Sequence, residues 1–247
     1  MPRRGGTGSL VVRVSLTGGE RLLRLEAQLE AGDAGGPRAA RLCEGCADVL
    51  GMTGAGIMLM VGDLAQGSVC SSNGVSALIE DLQYTLGEGP SVDAYQQEQP
   101  VLEPDLADPH VARWWAFTPK AVDAGARAVF GFPLRSAFGG RGALNLYRDR
   151  PGPLGEEQHA DALVMAGVAA RAVLAMQADA PPGLLGAALE AGSDFRRIEQ
   201  QAAGMVAAAL DISVGDALVR LRAYAFANDR PLFNVAEEVV ARHLRFD

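Results

Sequence analysis

At 247 residues, 49% hydrophobic and 21% charged, the chain carries enough apolar side chain for one large core or two smaller ones, which excludes a disordered polypeptide. Its formal net charge of -8 excludes a generally cationic nucleic-acid or membrane-surface binder, so any anionic partner has to meet a local basic patch. Lys120 is the single lysine, and no Gly-rich loop precedes it in "FTPKAVDAG", which sets aside P-loop, Schiff-base and lysine general-base chemistry.

Residues 1–36 read as an arm, Gly- and Arg-rich around one short helical pattern, "GERLLRLEAQLEAG". Two outcomes stay open for it: packing on the following domain, or partial disorder. Residues 37–178 alternate helices with short strands. A helix over Arg38 to Leu50 leads into the strand "GAGIMLMVGD" and a partner strand, "GSVCSSN". "SALIEDLQYTL" is predicted helical and stopped by the turn "GEGP". "PVLEPDL" reads as a short strand, and "HVARWWAFTPKAVDAG" as helical in its first part. "ARAVFGFPLRS" and "GALNLYRD" form two strands joined by "AFGGRG", and "LGEEQHADALVMAGVAARAVLAMQ" closes the unit as a helix. Hairpins mixed with flanking helices, without strict βαβ alternation, predict an α+β domain with a mainly antiparallel sheet.

"ADAPPG" breaks the pattern, and residues 179–183 read as a linker. From 184 to 247 the chain is predicted all helical. Ile198, Ala202, Met205, Val206 and Ala209 share one face of a first helix. Val214, Ala217, Leu218, Leu221 and Ala225 do so in a second, behind a capping-box-like Ser213 and Asp216. Leu232, Val235, Ala236, Val239 and Val240 do so in a third, after Pro231. The expected product is a small three-helix bundle.

The three cysteines predict a reducing compartment. Cys43 and Cys46 have C-x-x-C spacing, compatible with a redox pair or half a zinc site. Zinc needs two further ligands, and no second C-x-x-C or H-x-x-x-H is present. The amphipathic pattern around them favours small core residues instead, so no metal and no cofactor are expected. The apolar stretch "ADALVMAGVAARAVLAM" is interrupted by Arg171 and is short for a bilayer span; no membrane partner is expected, and the cytoplasm is the expected compartment. With no G-x-S-x-G, P-loop or H-E-x-x-H, and with His110, His159 and His243 scattered, no catalytic residue is assigned.

The segment "IEQQAAGMVAAALDISVGDALVRLRAYAFANDR" resembles the ANTAR domain, through Ala202, Gly204, Ala217, Leu221 and Arg222, continued by Ala225, Leu232, Val235 and Ala236. Ala203 stands where family members commonly carry a lysine. The preceding region resembles a GAF sensor domain in "GAGIMLM", "LQYTLGEGPSVDAY", "PVLEPDL", "ARAVFGFPLR" and "GALNLYRD", and the pair is similar to GAF-plus-ANTAR regulators of actinobacteria. Relatives often carry cysteine after the Gly-Glu-Gly-Pro turn; Ser91 stands there.

The resemblance implies a signal-responsive transcription antitermination regulator whose ANTAR module binds paired hairpins in nascent leader RNA, as a homodimer. The candidate RNA contacts are Arg220, Arg230, Arg222, Gly204, Ala203 and Tyr224. Arg222 lies at the edge of its helix's apolar stripe, where an intramolecular salt bridge is the competing reading. The C-terminal part holds seven arginines against nine acids, so RNA binding requires segregated charge. The alternative is a DNA-binding or protein-interaction adaptor using the same bundle. A DNA reader would place the third helix in the major groove, where Glu237 and Glu238 would face phosphates. In a GAF-like fold a small-molecule site lies between sheet and helices. Trp114, Trp115, Phe117, Phe130 and Phe132 are its candidate lining, with Glu103, Asp105 or Arg135 at the rim, unless the aromatics are filled core. The helix over Glu156 to Gln177, with Leu163, Ala166, Ala170, Val173 and Leu174 on one face, either pairs with its twin or packs on the domain's own sheet.

Overall fold

The computed structural model describes residues 16–31, 38–61, 64–108, 113–135, 142–179, 193–228, 230 and 232–246. In chain order these form α1 (Gly18–Ala31), α2 (Arg38–Leu50), β1 (Gly54–Val61), β2 (Leu64–Ser71), α3 (Gly74–Leu86), α4 (Pro90–Gln97), β3 (Val101–Glu103), α5 (Phe117–Asp123), β4 (Ala128–Pro133), β5 (Gly142–Arg148) and α6 (Glu156–Asp179). Three further helices follow: α7 (Ser193–Leu210), α8 (Val214–Ala227) and α9 (Leu232–Val240). Of the sequence-predicted linker 179–183, Asp179 still belongs to α6, and 180–183 lie outside the described residues.

The strands make one five-stranded sheet in the order β2-β1-β5-β4-β3, with every neighbouring pair antiparallel. Period-2 alternation divides its side chains between two layers. Ala55, Ile57 and Leu59 of β1, Phe130 and Phe132 of β4, and Leu144 and Leu146 of β5 face α2 and α6. On the other face Val129, Ala143 and Tyr147 pack with Ile79, Leu82, Ala94 and Phe117 of α3, α4 and α5. All of β5 is buried, as expected of a strand covered on both sides.

Two glycines set how closely the second layer sits. A Cβ on Gly56 would lie 2.6 Å from the Glu80 carboxylate, and one on Gly131 would run into the Pro90 carbonyl. Helices α3 and α4 therefore rest directly on the sheet. Asn73 caps α3 by accepting from Ser76 N at 2.8 Å, and Gly87 ends it in the left-handed conformation at φ 67°. Pro90 then opens α4, a helix over residues to which the sequence pattern assigns no element.

The first-layer helices differ in how they hold. Ala162, Met165, Ala166, Ala169, Ala170 and Val173 of α6 are spent on the protein's own sheet. The stretch Glu156–Met176 is nevertheless long and apolar enough, by length and composition, to cross a membrane. Helix α1 is clamped across α6 by charge: Arg21 is buried and donates to Glu157 at 2.8 Å and to Asp161, and Arg171 pairs with Glu26 at 2.6 Å. The helical part of the arm thus packs; residues 1–15 lie outside the described residues.

Helices α7, α8 and α9 bury Ala202, Ala203 and Val206, Ala217, Leu218 and Leu221, and Leu232, Val235 and Val239 against one another. The Ser213 side chain accepts from Asp216 N at 3.0 Å and caps α8. This cluster does not close on itself. It continues into Met58 and Met60 of β1, Tyr84 of α3 and Val92 of α4, so the three helices are seated on the α3–α4 side of the sheet.

One cysteine reading is corrected. Cys43 of α2 is bonded to Cys70 of β2, with Cα atoms 5.9 Å apart, and only Cys46 remains a free buried thiol. The partners lie 27 residues apart, a pairing that spacing does not disclose.

Candidate functional site

The seat between the three helices and the sheet holds a buried arginine. On α8 the inward positions Ala217, Leu218, Leu221 and Ala225 are apolar, and Arg222, next to Leu221, is turned toward Tyr84 of α3. Its guanidinium carbon lies 5.0 Å from the centroid of the Tyr84 ring. Only 9% of Arg222 is exposed. Burial pulls its pKa below the ordinary arginine range, while Tyr84 and Glu199 of α7 act in the opposite direction. A charge taken out of water is tolerated only with such compensation, here an aromatic face and a carboxylate. Gly87 borders this pair: a Cβ there would make an ordinary 3.8 Å contact with an Arg222 terminal nitrogen, so what calls for glycine is the left-handed backbone at φ 67°.

The candidate RNA contacts are scattered by this arrangement. Arg220 is exposed, and Gly204 faces open space on α7. Ala203 is fully buried in the bundle, which removes it as a surface contact. Arg222 has taken an intramolecular partner. Arg230 is held in a fork by Glu238, at 3.0 Å from Nη1 and 2.7 Å from Nη2. That pairing raises the Arg230 pKa and lowers that of Glu238. Tyr224 is half-buried, edge-on to Phe246 with centroids 5.4 Å apart. Arg242 and Arg245, absent from the sequence-derived contact set, are exposed in the segment "ARHLRF" that follows α9. Among the described residues, no carboxylate pairs with Arg220, Arg242 or Arg245.

The aromatic residues proposed to line one pocket do not meet. Phe130 and Phe132 belong to the α2–α6 face, whereas Trp114 and Phe117 pack edge-to-face, 5.8 Å apart, on the opposite side. Trp115 is 83% exposed. Trp114 has φ 56° and donates from Nε1 to Asp93 at 3.0 Å, so the tryptophan pair breaks the expected helix and α5 begins only at Phe117. Glu88 accepts from Ala116 N and Phe117 N at 2.7 and 2.8 Å, anchoring that start. The rim candidates are engaged as well. Glu103 is buried, Asp105 pairs with Arg127 at 3.1 Å, and Arg135 donates to the Glu98 carbonyl.

Between α3, α4 and the sheet lies a polar layer that the sequence reading did not assemble. Gln83 accepts from Ser91 N at 2.7 Å, and Ser91, Gln83, Asn145 and Glu80 are all buried. The position after the Gly-Glu-Gly-Pro turn is thus an interior one. Among the described residues no group of three or more His, Cys, Asp or Glu side chains is placed to hold a metal.

No protein-family model matches the chain, and no curated protein matches it. Solved structures similar to it include the GAF domain of a phosphoenolpyruvate-protein phosphotransferase from Acinetobacter, at 15% identity over 67% of this chain and 98% of that one, with a TM-score of 0.48. The corresponding domain from Coxiella burnetii has 15% identity over 65% and 95%, with a TM-score of 0.49. A type II free methionine-R-sulfoxide reductase from Thermoplasma acidophilum has 15% identity over 62% and 94%, with a TM-score of 0.44. The architecture is an α+β unit, built on an antiparallel sheet between helical layers, that carries a docked three-helix unit.

Proposed function

We propose that the chain is a signal-responsive regulator in which a GAF-like sensing unit controls a C-terminal three-helix module that binds hairpins in leader RNA, as a homodimer and without catalysis of its own. The observation that supports control is the buried Arg222 on Tyr84, because it makes the stability of the module depend on the state of α3. The RNA reading draws on the resemblance to ANTAR modules and on the exposed Arg220, Arg242 and Arg245, which supply cationic groups despite the acidic total. Arg222 and Ala203 drop out of the contact set for the docked form, and Arg230 reaches phosphate only by leaving Glu238.

A protein-interaction role is favoured by a different observation. Val219 and Phe226, 56% and 53% exposed, lie together on the outer face of α8. Gel-shift titration with a double-hairpin RNA and a duplex DNA at several salt concentrations separates the readings. Submicromolar, salt-dependent retention of the RNA alone supports the RNA regulator; equal, weak retention of both nucleic acids leaves the adaptor.

A further inference from the structure

The cysteine pair occupies a position that no packing argument requires. A sheet covered on both faces by apolar layers is not a small scaffold in need of a cross-link. Yet Cys43–Cys70 ties the core helix α2 to β2, an edge strand of the sheet. The bond lies at an irregular place in the ladder. Cys70 is paired with Ile57, the next β1 residue, Met58, is paired with Ser68, and Val69 is left over as a bulge. A second register shift follows between Leu59 and Met60. An edge strand with two irregularities and one neighbour is weakly specified in register, and the disulfide holds its end.

The two faces of β1 connect this tie to the seat of the three-helix unit. Ile57 and Leu59 pack in the layer that contains Cys43 and Cys70, whereas Met58 and Met60 belong to the buried cluster that Tyr84 and Val92 share with the three helices. The disulfide and the seat thus lie on opposite faces of one bulged ribbon. Cys46 does not compete for the bond, because it is fully buried and burial pushes its thiol up to about 12.

We propose that Cys43–Cys70 is a thiol-reactive input site: a dithiol reductant opens it, frees the end of β2, and loosens the seat that β1 gives the three helices. Cys43 is fully buried and Cys70 keeps 8% exposure, so attack falls on the Cys70 sulfur. A thiolate of the dithiol bonds to that sulfur, and the Cys43–Cys70 bond breaks with its electron pair leaving on Cys43, which takes a proton. The second thiol of the reductant then displaces Cys70 as a thiol, and the reductant leaves as its own disulfide. The reverse exchange with an oxidised dithiol restores the tie. The inference stands without the RNA reading, since it concerns only the seat.

The test uses the full chain after mild oxidation, followed by dithiothreitol or a thioredoxin without denaturant. Alkylation with mass spectrometry counts thiols, and amide hydrogen exchange reads protection segment by segment. Opening of one disulfide with a tenfold or greater loss of protection in β2 and α8, while β4 and β5 keep theirs, is the expected result. The faster of the two reductants identifies a small or a protein dithiol as the source. Cys70→Ser should show the reduced pattern without reductant, and Cys46→Ser should still respond. Three free thiols after oxidation would overturn the proposal, as would an opened bond with α8 unchanged. Loss of protection throughout the chain would make the bond a structural staple and overturn it equally.

Discussion

Arg222 of α8 lies over the ring of Tyr84 of α3, its guanidinium carbon 5.0 Å from the ring centroid, and this pair couples the C-terminal helices to the sheet domain. A desolvated cation on an aromatic face contributes up to about 2 kcal/mol. In a double-mutant cycle, Arg222→Ala and Tyr84→Leu should therefore each destabilise the chain, with a coupling of about 1–2 kcal/mol by urea unfolding. Additive single effects would mean that the contact carries no coupling.

Helix α3 and helix α4 approach the sheet over glycines, and the two positions should differ in tolerance. Gly56→Ala meets the movable end of Glu80 and should cost about 1–2 kcal/mol. Gly131→Ala meets the Pro90 backbone and should cost about 3 kcal/mol or more, because backbone cannot turn aside. Gly204→Ala is the control: an added Cβ there touches nothing, and replacing a helical glycine should stabilise by roughly 0.5–1 kcal/mol. Thermal unfolding of the three variants orders them.

The Arg230–Glu238 fork makes a pH-dependent contribution whose sign follows from the lowered Glu238 pKa. The ionised carboxylate is favoured in the folded state, so the contribution is complete above the unfolded carboxylate range, about pH 4.3. It is lost as pH falls through the lowered folded value. Glu238→Gln should therefore lower Tm at pH 7 and leave it nearly unchanged at pH 2–3. A Tm difference that persists at acid pH would show that another property of the side chain is responsible.

For RNA, Arg220→Ala should weaken double-hairpin binding and reduce the slope of log affinity against log salt by about 1, whatever the loop sequence. Arg242→Ala and Arg245→Ala should each act in the same way. Binding that ignores all three while failing with Phe226→Ala would point to protein recognition through the outer face of α8.

The legible parts of this chain are those governed by local periodicity. The short runs in "AVFGFP" and "GALNLYR" around a Gly-rich turn yield β4 and β5, the Gly-Glu-Gly-Pro turn stops α3, and the 3.6-residue spacing of small apolar residues yields α7 to α9. Helix α4 escaped because "PSVDAYQQ" has too few apolar residues to mark a face, and the start of α5 moved because Trp114 takes a left-handed backbone.

What the amino-acid order settled by itself is therefore most of the helices and strands, the hairpins that join neighbouring strands and the inward faces of the last three helices, because each depends on neighbours a few residues away. The partner of Cys43, the division of the aromatic residues between two sides of the sheet and the burial of Arg222 were decided by tertiary packing. Each of these depends on which surfaces meet across 27 or more residues of chain, and a charge at the edge of an apolar stripe has the same sequence pattern whether water or a tyrosine ring covers it.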